Sequence, residues 1–400
     1  MIPAIREWFN GNFAEEKYEK YKAFFSRYET DPITFRIAET PVFVQNDFKQ
    51  KMLDTADFIV EAIMSKGFKA MTQGAIPDFI QYKNEGEHPH FIAFDFGICK
   101  NPENRELEPQ LVEMQGFPSL YFYQFYQEKA AREAYGIPEN YDIFLNGFNE
   151  EATIDLLKKV IVGNENPENV ILLELYPEKQ KTKIDFFFTE KHLGIQTICL
   201  TKIKFDGDQI YYEKEGKRIP VKRIYNRLIW DDVVRNDDIF IKEQADKVMG
   251  TNVEWVTHPS WFYRISKYTL PFLRHPNIPP TYFLNTFNEA APKDLADYVL
   301  KPLFSYSGRG VMIHPTLYDF YNIEEQSQYI LQKRVQYDAA IVTPDGPAKA
   351  EIRLFYIWDE EMARPIATHN LARLTKAEMI GVDFNADQKW IGGSFAYFEK

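Results

Sequence analysis

The stretch YVLKPLFSYSGRGVMI, residues 298–313, poses the question on which the fold of this chain turns. An apolar run carries one lysine, Lys301, up to Pro302, and the cluster Ser305, Ser307, Gly308 and Gly310 separates it from a second apolar run. A lysine inside a strand-like segment either shifts its pKa or finds an anion, because a lone ammonium is costly to bury. Pro302 ends ladder pairing where the turn begins. Gly308 and Gly310 let main-chain N–H groups approach an oxyanion closely, with Arg309 between them as an extra charge. Two readings follow from the residues, a phosphate clamp or a plain strand-turn-strand, since Gly and Ser are also common turn formers. The stretch is neither GxxxxGK[ST] nor GxGxxG.

Working outward, the runs HFIAFDFGI (90–98) and QLVEMQGF (110–117) are strand-like and place carboxylates where apolar residues are expected. Glu113 and Gln115 are two apart, so they project to one face, and Asp95 sits on the neighbouring run. Three hard oxygen donors on adjacent strands suit Mg²⁺; equally, such carboxylates serve as structural partners of buried arginines. Arg353 in AEIRLFYIW and Arg373 in HNLARLTKAEM are arginines in apolar strands, each suited to a carboxylate or phosphate fork or to a structural ion pair.

Composition limits the alternatives. Four hundred residues, 33 of them Phe and 24 Tyr, supply enough apolar area for two or three packed lobes. The net charge of −12 argues against a general nucleic-acid binder, so an anionic ligand needs a local positive pocket. Cys99 and Cys199 match no zinc or redox spacing. The seven histidines show no HExxH, and no GxSxG elbow supports a serine hydrolase. No run reaches the ~18 apolar residues of a membrane span, and a soluble cytoplasmic protein is expected.

The chain divides by pattern into a mainly helical region (1–88), the carboxylate-bearing strands (89–150), an α/β lobe (151–255) and a strand-and-helix region around residues 298–313 (256–400). The first includes a helix capped by Asn46 or Asp47 and closed by Gly67. In the third, NVILLELYP, a helix ending at Gly194 and IQTICLT form a βαβ unit, followed by a hairpin-like segment turning at Asp206-Gly207.

Taken in order, these motifs resemble the circularly permuted ATP-grasp family that includes glutathionylspermidine synthetase. FDFGI and LVEMQGFPSL look like its two metal strands, which implies Asp95, Glu113 and Gln115 as Mg²⁺ ligands. NRL around Arg227 continues the likeness. SKYTLPFL is similar to the first nucleotide-lysine segment, implying Lys267. Lys301 matches the second lysine, with Ser305, Ser307, Gly308, Arg309 and Gly310 as the flap. YILQKRV looks like the hinge strand, implying adenine pairing at Gln332, Lys333, Arg334 and Val335.

The resemblance implies a mixed α/β, ATP-grasp-like fold with a pre-ATP-grasp lobe. It further implies a ligase that uses ATP and Mg²⁺ to join a small-molecule or peptide carboxylate to an amine, with Arg353 or Arg373 steadying an acyl phosphate. The chain departs from the family at Ala93, often Arg there, at Gln115 in place of Asn, and in lacking a fused amidase. An inactive ATP-binding scaffold and a phosphotransferase are the alternative expectations.

Overall fold

A computed structural model describes residues 1–28, 30–80, 83–287, 291–305, 308–378 and 388–400. Its centre is a five-stranded antiparallel sheet in the order Gly392–Ser394, Ile366–Thr375, Lys349–Ile357, Phe91–Lys100, Leu107–Gln115. Period-two alternation divides it into two faces. Phe94, Phe96, Ile352 and Leu354 enter a core shared with Phe48, Met52 and Ile59 of the helix Asn46–Met64. Asp95, Glu113, Glu351, Arg353 and Arg373 fall on the opposite face, where Arg353 pairs with Asp95, Asp95 with Glu113 and Glu351 with Arg373 across the strands. Asp95 pairs with Glu113 but Phe96 with Leu111, so Val112 is the extra residue of a bulge. Such a bulge re-aims the side chains and carbonyls beside it.

A second sheet is wholly parallel, in the order Glu254–Val256, Arg223–Asn226, Val170–Glu174, Gln196–Cys199. The expected βαβ unit is present, with the helix Lys183–Leu193 between its strands and Gly194 at φ +71° ending it. The hairpin-like segment is divided differently from the sequence expectation. Lys204–Asp206, Gln209–Lys214 and Lys217–Val221 make a separate three-stranded meander with Gly207 in the turn, while Arg223–Asn226 leaves it to join the parallel sheet. The expected cap at Asn46 or Asp47 is also displaced: the helix starts at Asn46 after Gln45 and ends at Met64, short of Gly67.

Residues 298–302 lie in a third sheet, Thr281–Phe283, Tyr329–Lys333, Tyr298–Pro302, antiparallel throughout. Pro302 still pairs with Tyr329, so the ladder ends one residue after Lys301. The second apolar run returns as a single bridge, Leu300 with Met312, rather than a strand. Strands Val42–Val44, Ala396–Glu399 and Tyr141–Asp142 form a further small sheet. No helix among the described residues is long and apolar enough to cross a membrane.

Candidate functional site

The charged face of the central sheet, the Lys301 strand and the carboxyl ends of the parallel strands border one cavity of about 740 Å³. Of the residues singled out from sequence, Asp95, Glu113, Gln115, Lys267, Lys301, Ser305, Gly308, Arg309, Gln332, Lys333, Arg334, Val335, Arg353 and Arg373 line it. Gly310 does not, and Ser307 lies outside the described residues. Among the described residues, eleven Lys and Arg against five Asp and Glu border the space, so a chain of charge −12 carries a locally positive pocket. Low-dielectric walls focus such a field on anions.

Asp95 is nearly sealed from solvent and is the anchor of this face. Its Oδ1 accepts from Arg353 Nε at 2.5 Å, and its Oδ2 accepts from Arg353 Nη2 at 2.6 Å and Arg373 Nη2 at 2.8 Å. The bidentate fork fixes the Arg353 plane. Arg373 also donates to Glu351 Oε2 at 2.9 Å, and Tyr337 donates its hydroxyl to the other Glu351 oxygen. Burial pushes the Glu351 carboxyl above its ordinary range, and Asp95 adds to the push against the pull of Arg373. Glu351 was not singled out from sequence; two residues before Arg353 on one strand face, it was open to the same period-two reading.

Glu113 is the second carboxylate. Its Oε1 accepts from Lys267 Nζ at 2.9 Å, and the same ammonium donates to the Ser305 carbonyl at 2.6 Å. Burial alone would raise the Glu113 carboxyl, but Lys267 first, then Arg353 and Lys301, hold it down at about 2. Lys267 opens a short 3₁₀ turn, Lys267–Phe272, in which Ser266 accepts the N–H of Tyr268. Lys301 donates to Gln332 Oε1 at 2.5 Å and to the bulged Val112 carbonyl at 3.3 Å. Burial lowers its pKa to about 8, with Glu113 opposing.

The glycine flap has the backbone its sequence suggests. Gly308 and Gly310 stand at φ +73° and +69°, and a Cβ on Gly310 would come within 2.9 Å of Pro302 Cγ. Arg309 lines the cavity and lies 3.7 Å from Asp232. In the hinge, the N–H of Lys333 is taken by the Pro280 carbonyl and that of Arg334 by the Asp297 carbonyl, both at 2.8 Å. This narrows the expected base-pairing stretch: among the described residues Val335 keeps an N–H with no internal partner, whereas Lys333 and Arg334 do not.

The donors expected for Mg²⁺ divide. Both oxygens of Asp95 are bonded to guanidinium groups, which gives it an arginine-holding position in place of the expected open ligand. Glu113 keeps Oε2, and Gln115 lies two residues on along the same strand face. Among the described residues no three His, Cys, Asp or Glu side chains converge to form a protein-only metal cage. One carboxylate plus an amide fits a magnesium ion that brings phosphate oxygens and waters of its own.

At the end of the cavity formed by the parallel sheet, the strands Val170–Glu174 and Arg223–Asn226 are neighbours whose onward connections leave in opposite directions. Ligands of open α/β sheets sit beyond the carboxyl ends of strands at such a point. Glu174 ends one strand and Arg227 follows the other. Burial pushes the Glu174 carboxyl up to about 8 against the pull of Arg227. Arg227 is 4% exposed, lies over the rings of Phe117 and Phe186, donates from Nη2 to Thr182 Oγ1 at 3.4 Å, and among the described residues keeps Nε and Nη1 without a partner.

Comparison with solved structures matches the fold to a glutathione synthetase-like effector from Globodera pallida in its apo form. The alignment covers 90% of this chain and 94% of that one, with a TM-score of 0.57 and 11% identity. The fold is glutathione synthetase-like. The mixed α/β architecture is consistent with the expected ATP-grasp-like fold. No protein-family model and no curated protein matches the sequence.

Proposed function

We propose that this protein is an ATP- and Mg²⁺-dependent ligase joining a carboxylate to an amine through an acyl phosphate. The supporting observation is the convergence of Lys267, Lys301, Glu113 and the Asp95-anchored pair Arg353 and Arg373 on one cationic cavity in a glutathione synthetase-like fold. The chemistry needs no protein nucleophile. It needs charge neutralisation, alignment and exclusion of water.

In this reading Lys267 and Lys301 hold the nucleotide phosphates, and Val335 N–H receives the base. Glu113 and Gln115 hold the magnesium ion, which supplies charge compensation on the phosphates when bound. Asp95 keeps Arg353 and Arg373 in fixed planes, so their outward N–H groups stabilise negative charge as the acid's carboxylate is phosphorylated and then released to the amine. Ser305, Gly308 and Gly310 form the cover. Arg227, an unpaired fork at the far end, receives a second anionic group of the acid.

The test is release of ADP and phosphate that depends on both an acid and an amine, with hydroxylamine replacing the amine to trap the acyl phosphate as a hydroxamate. A stable phosphorylated product would instead mark a phosphotransferase. A second reading, nucleotide binding without turnover, is favoured by one observation: Asp95 is fully engaged by two arginines. ATP binding with no ADP release under any acid and amine would support it and reject the ligase.

A further inference from the structure

Between the helix Tyr123–Tyr135 and the edge strand Gly392–Ser394 the cavity has an end to which the proposed reaction gives no role. Gln124 and Gln127 stand one helical turn apart and border it, although they are only 2% and 0% exposed. Gln127 Nε2 donates to the Gly393 carbonyl at 3.1 Å, and the Gln127 amide also acts as donor beside the Tyr21 hydroxyl oxygen. These bonds set the orientation of the amide and leave its oxygen over. Among the described residues neither Gln124 Oε1 nor Gln127 Oε1 has a hydrogen-bond partner. A buried acceptor left empty costs stability, so it marks a place where a donor is expected.

Gly393 ties this end to the chemistry, because it is the cross-strand partner of Arg373. Phe35 packs over Gly393, edge-on to Tyr123 at 5.5 Å, and borders both this cavity and a neighbouring groove. Charge decides what the end can hold. The five acids that border the cavity already have partners: Asp95 and Glu351 have arginines, Glu113 has Lys267, Glu378 has Arg334, and Glu174 takes the Leu175 N–H. An ammonium drawn in beside Arg373 would find no unclaimed carboxylate, and a buried charge without one is costly. Apart from the Tyr123 hydroxyl, the buried acceptors left over are the two amide oxygens, which take N–H groups and carry no charge.

We propose that this end receives the nitrogen nucleophile, and that the nucleophile is a weakly basic amine, uncharged at neutral pH, in place of an alkylammonium or a polyamine. Its two N–H groups donate to Gln124 Oε1 and Gln127 Oε1, which leaves the nitrogen lone pair to face the acyl carbon beside Arg373. As the C–N bond forms, the C–O bond to phosphate breaks, and the departing phosphate takes the proton that nitrogen releases. This rests on the ligase reading for the chemistry only; the two amides would hold such an amine whether or not turnover follows.

Two measurements on the full chain separate the claims. The first is binding of 7-amino-4-methylcoumarin, an uncharged and fluorescent arylamine, followed by anisotropy. It is run on the wild type, Gln124→Leu and Gln124→Met, with thermal melts identifying the variants that fold. We expect at least fivefold weaker binding by each folded variant. No binding by the wild type, or equal binding by wild type and variant, overturns the subsite.

The second is ADP release at neutral pH with ATP, Mg²⁺ and an acid that yields a hydroxamate in the test above, comparing hydroxylamine, methylamine and 1,4-diaminobutane. We expect kcat/KM to be at least tenfold higher for hydroxylamine than for either alkylamine. That ratio should fall at least tenfold in Gln124→Glu, where a carboxylate meets the ammonium. A wild-type preference for either alkylamine, or a ratio unchanged in Gln124→Glu, overturns the subsite and leaves the ligase standing. Arylamine binding that depends on Gln124, with no ADP release under any acid, supports the subsite and overturns the ligase.

Discussion

The charged face of the antiparallel sheet and the rim of the parallel sheet meet in one cavity and are finished differently. On the first, each guanidinium has a carboxylate: Arg353 holds Asp95 in a fork, and Arg373 bridges Asp95 and Glu351. On the second, Arg227 is as deeply buried, yet it has aromatic rings beside it and no carboxylate within ion-pair distance among the described residues. Buried charges that pair with each other are fixed in geometry, and only the donors they leave over can meet a ligand. A desolvated cation left unpaired keeps its donors for whatever enters. One face reads as scaffold for the chemistry, and the other as a place to hold something.

Removing Asp95 should have the largest effect, because it strands the buried Arg353 guanidinium and leaves Arg373 with Glu351 alone. We expect Asp95→Ala to lose about 3–5 kcal/mol of stability, read from urea denaturation, as when one partner of a buried pair is deleted. If it unfolds no more easily than wild type, the claim of a self-paired scaffold fails. Next comes Glu113→Ala, which takes a metal-side donor and leaves Lys267 its bond to the Ser305 carbonyl. ATP turnover should fall about 10²- to 10³-fold, the scale of losing one preorganised electrostatic group, with the circular dichroism spectrum unchanged. Turnover near the wild-type rate would remove Glu113 from the metal side.

Much of the scaffold was legible because period-two alternation is a local signal. It located the strands bearing Asp95, Glu113, Lys301, Arg353 and Arg373, and apolar runs around a glycine stop located the βαβ unit whose helix ends at Gly194. What escaped depends on pairing between distant segments. Val112 becomes a bulge only through its register with the Asp95 strand. Asp95 reads equally as an oxygen donor or an arginine's partner, and the choice falls only when two strands from the far end of the chain bring arginines onto it. Arg223–Asn226 has the β-branched and aromatic content of a hairpin strand, and nothing local shows that it pairs with Val170–Glu174 instead. Phe35 carries no motif at all; its place between two cavities is a property of the folded chain.

The two lysines sharpen the comparison on the paired side. Lys301 has a pKa near 8, so its ammonium is present below that pH and is lost above it. Since the folded value lies below the ordinary 10.5, holding Lys301 charged costs stability, and that cost grows as pH falls from about 10.5 towards 8. Phosphate binding has the opposite preference. ATP affinity measured by calorimetry should therefore weaken by up to about tenfold per pH unit as pH rises above 8, until it passes the higher pKa of the ATP-bound state, while Lys301→Arg should stay flat through pH 9.5. A flat wild-type profile would show that Lys301 does not meet the phosphates.

The smallest expected change in stability comes from the unpaired arginine, and it bears most directly on the contrast. Arg227 stacks on Phe117 and Phe186 but leaves two donors unmet, so Arg227→Met should keep the packing and remove the desolvated charge. Replacing a buried polar group by an apolar one of similar volume is often neutral or favourable, and we expect urea midpoints within about 1 kcal/mol of wild type. Under the ligase reading KM for the acid should rise at least tenfold with kcat less affected, because the group acts on binding rather than on the reacting carboxyl. If Arg227→Met instead destabilises the fold as strongly as Asp95→Ala, the guanidinium belongs to the scaffold after all, and the two regions are alike.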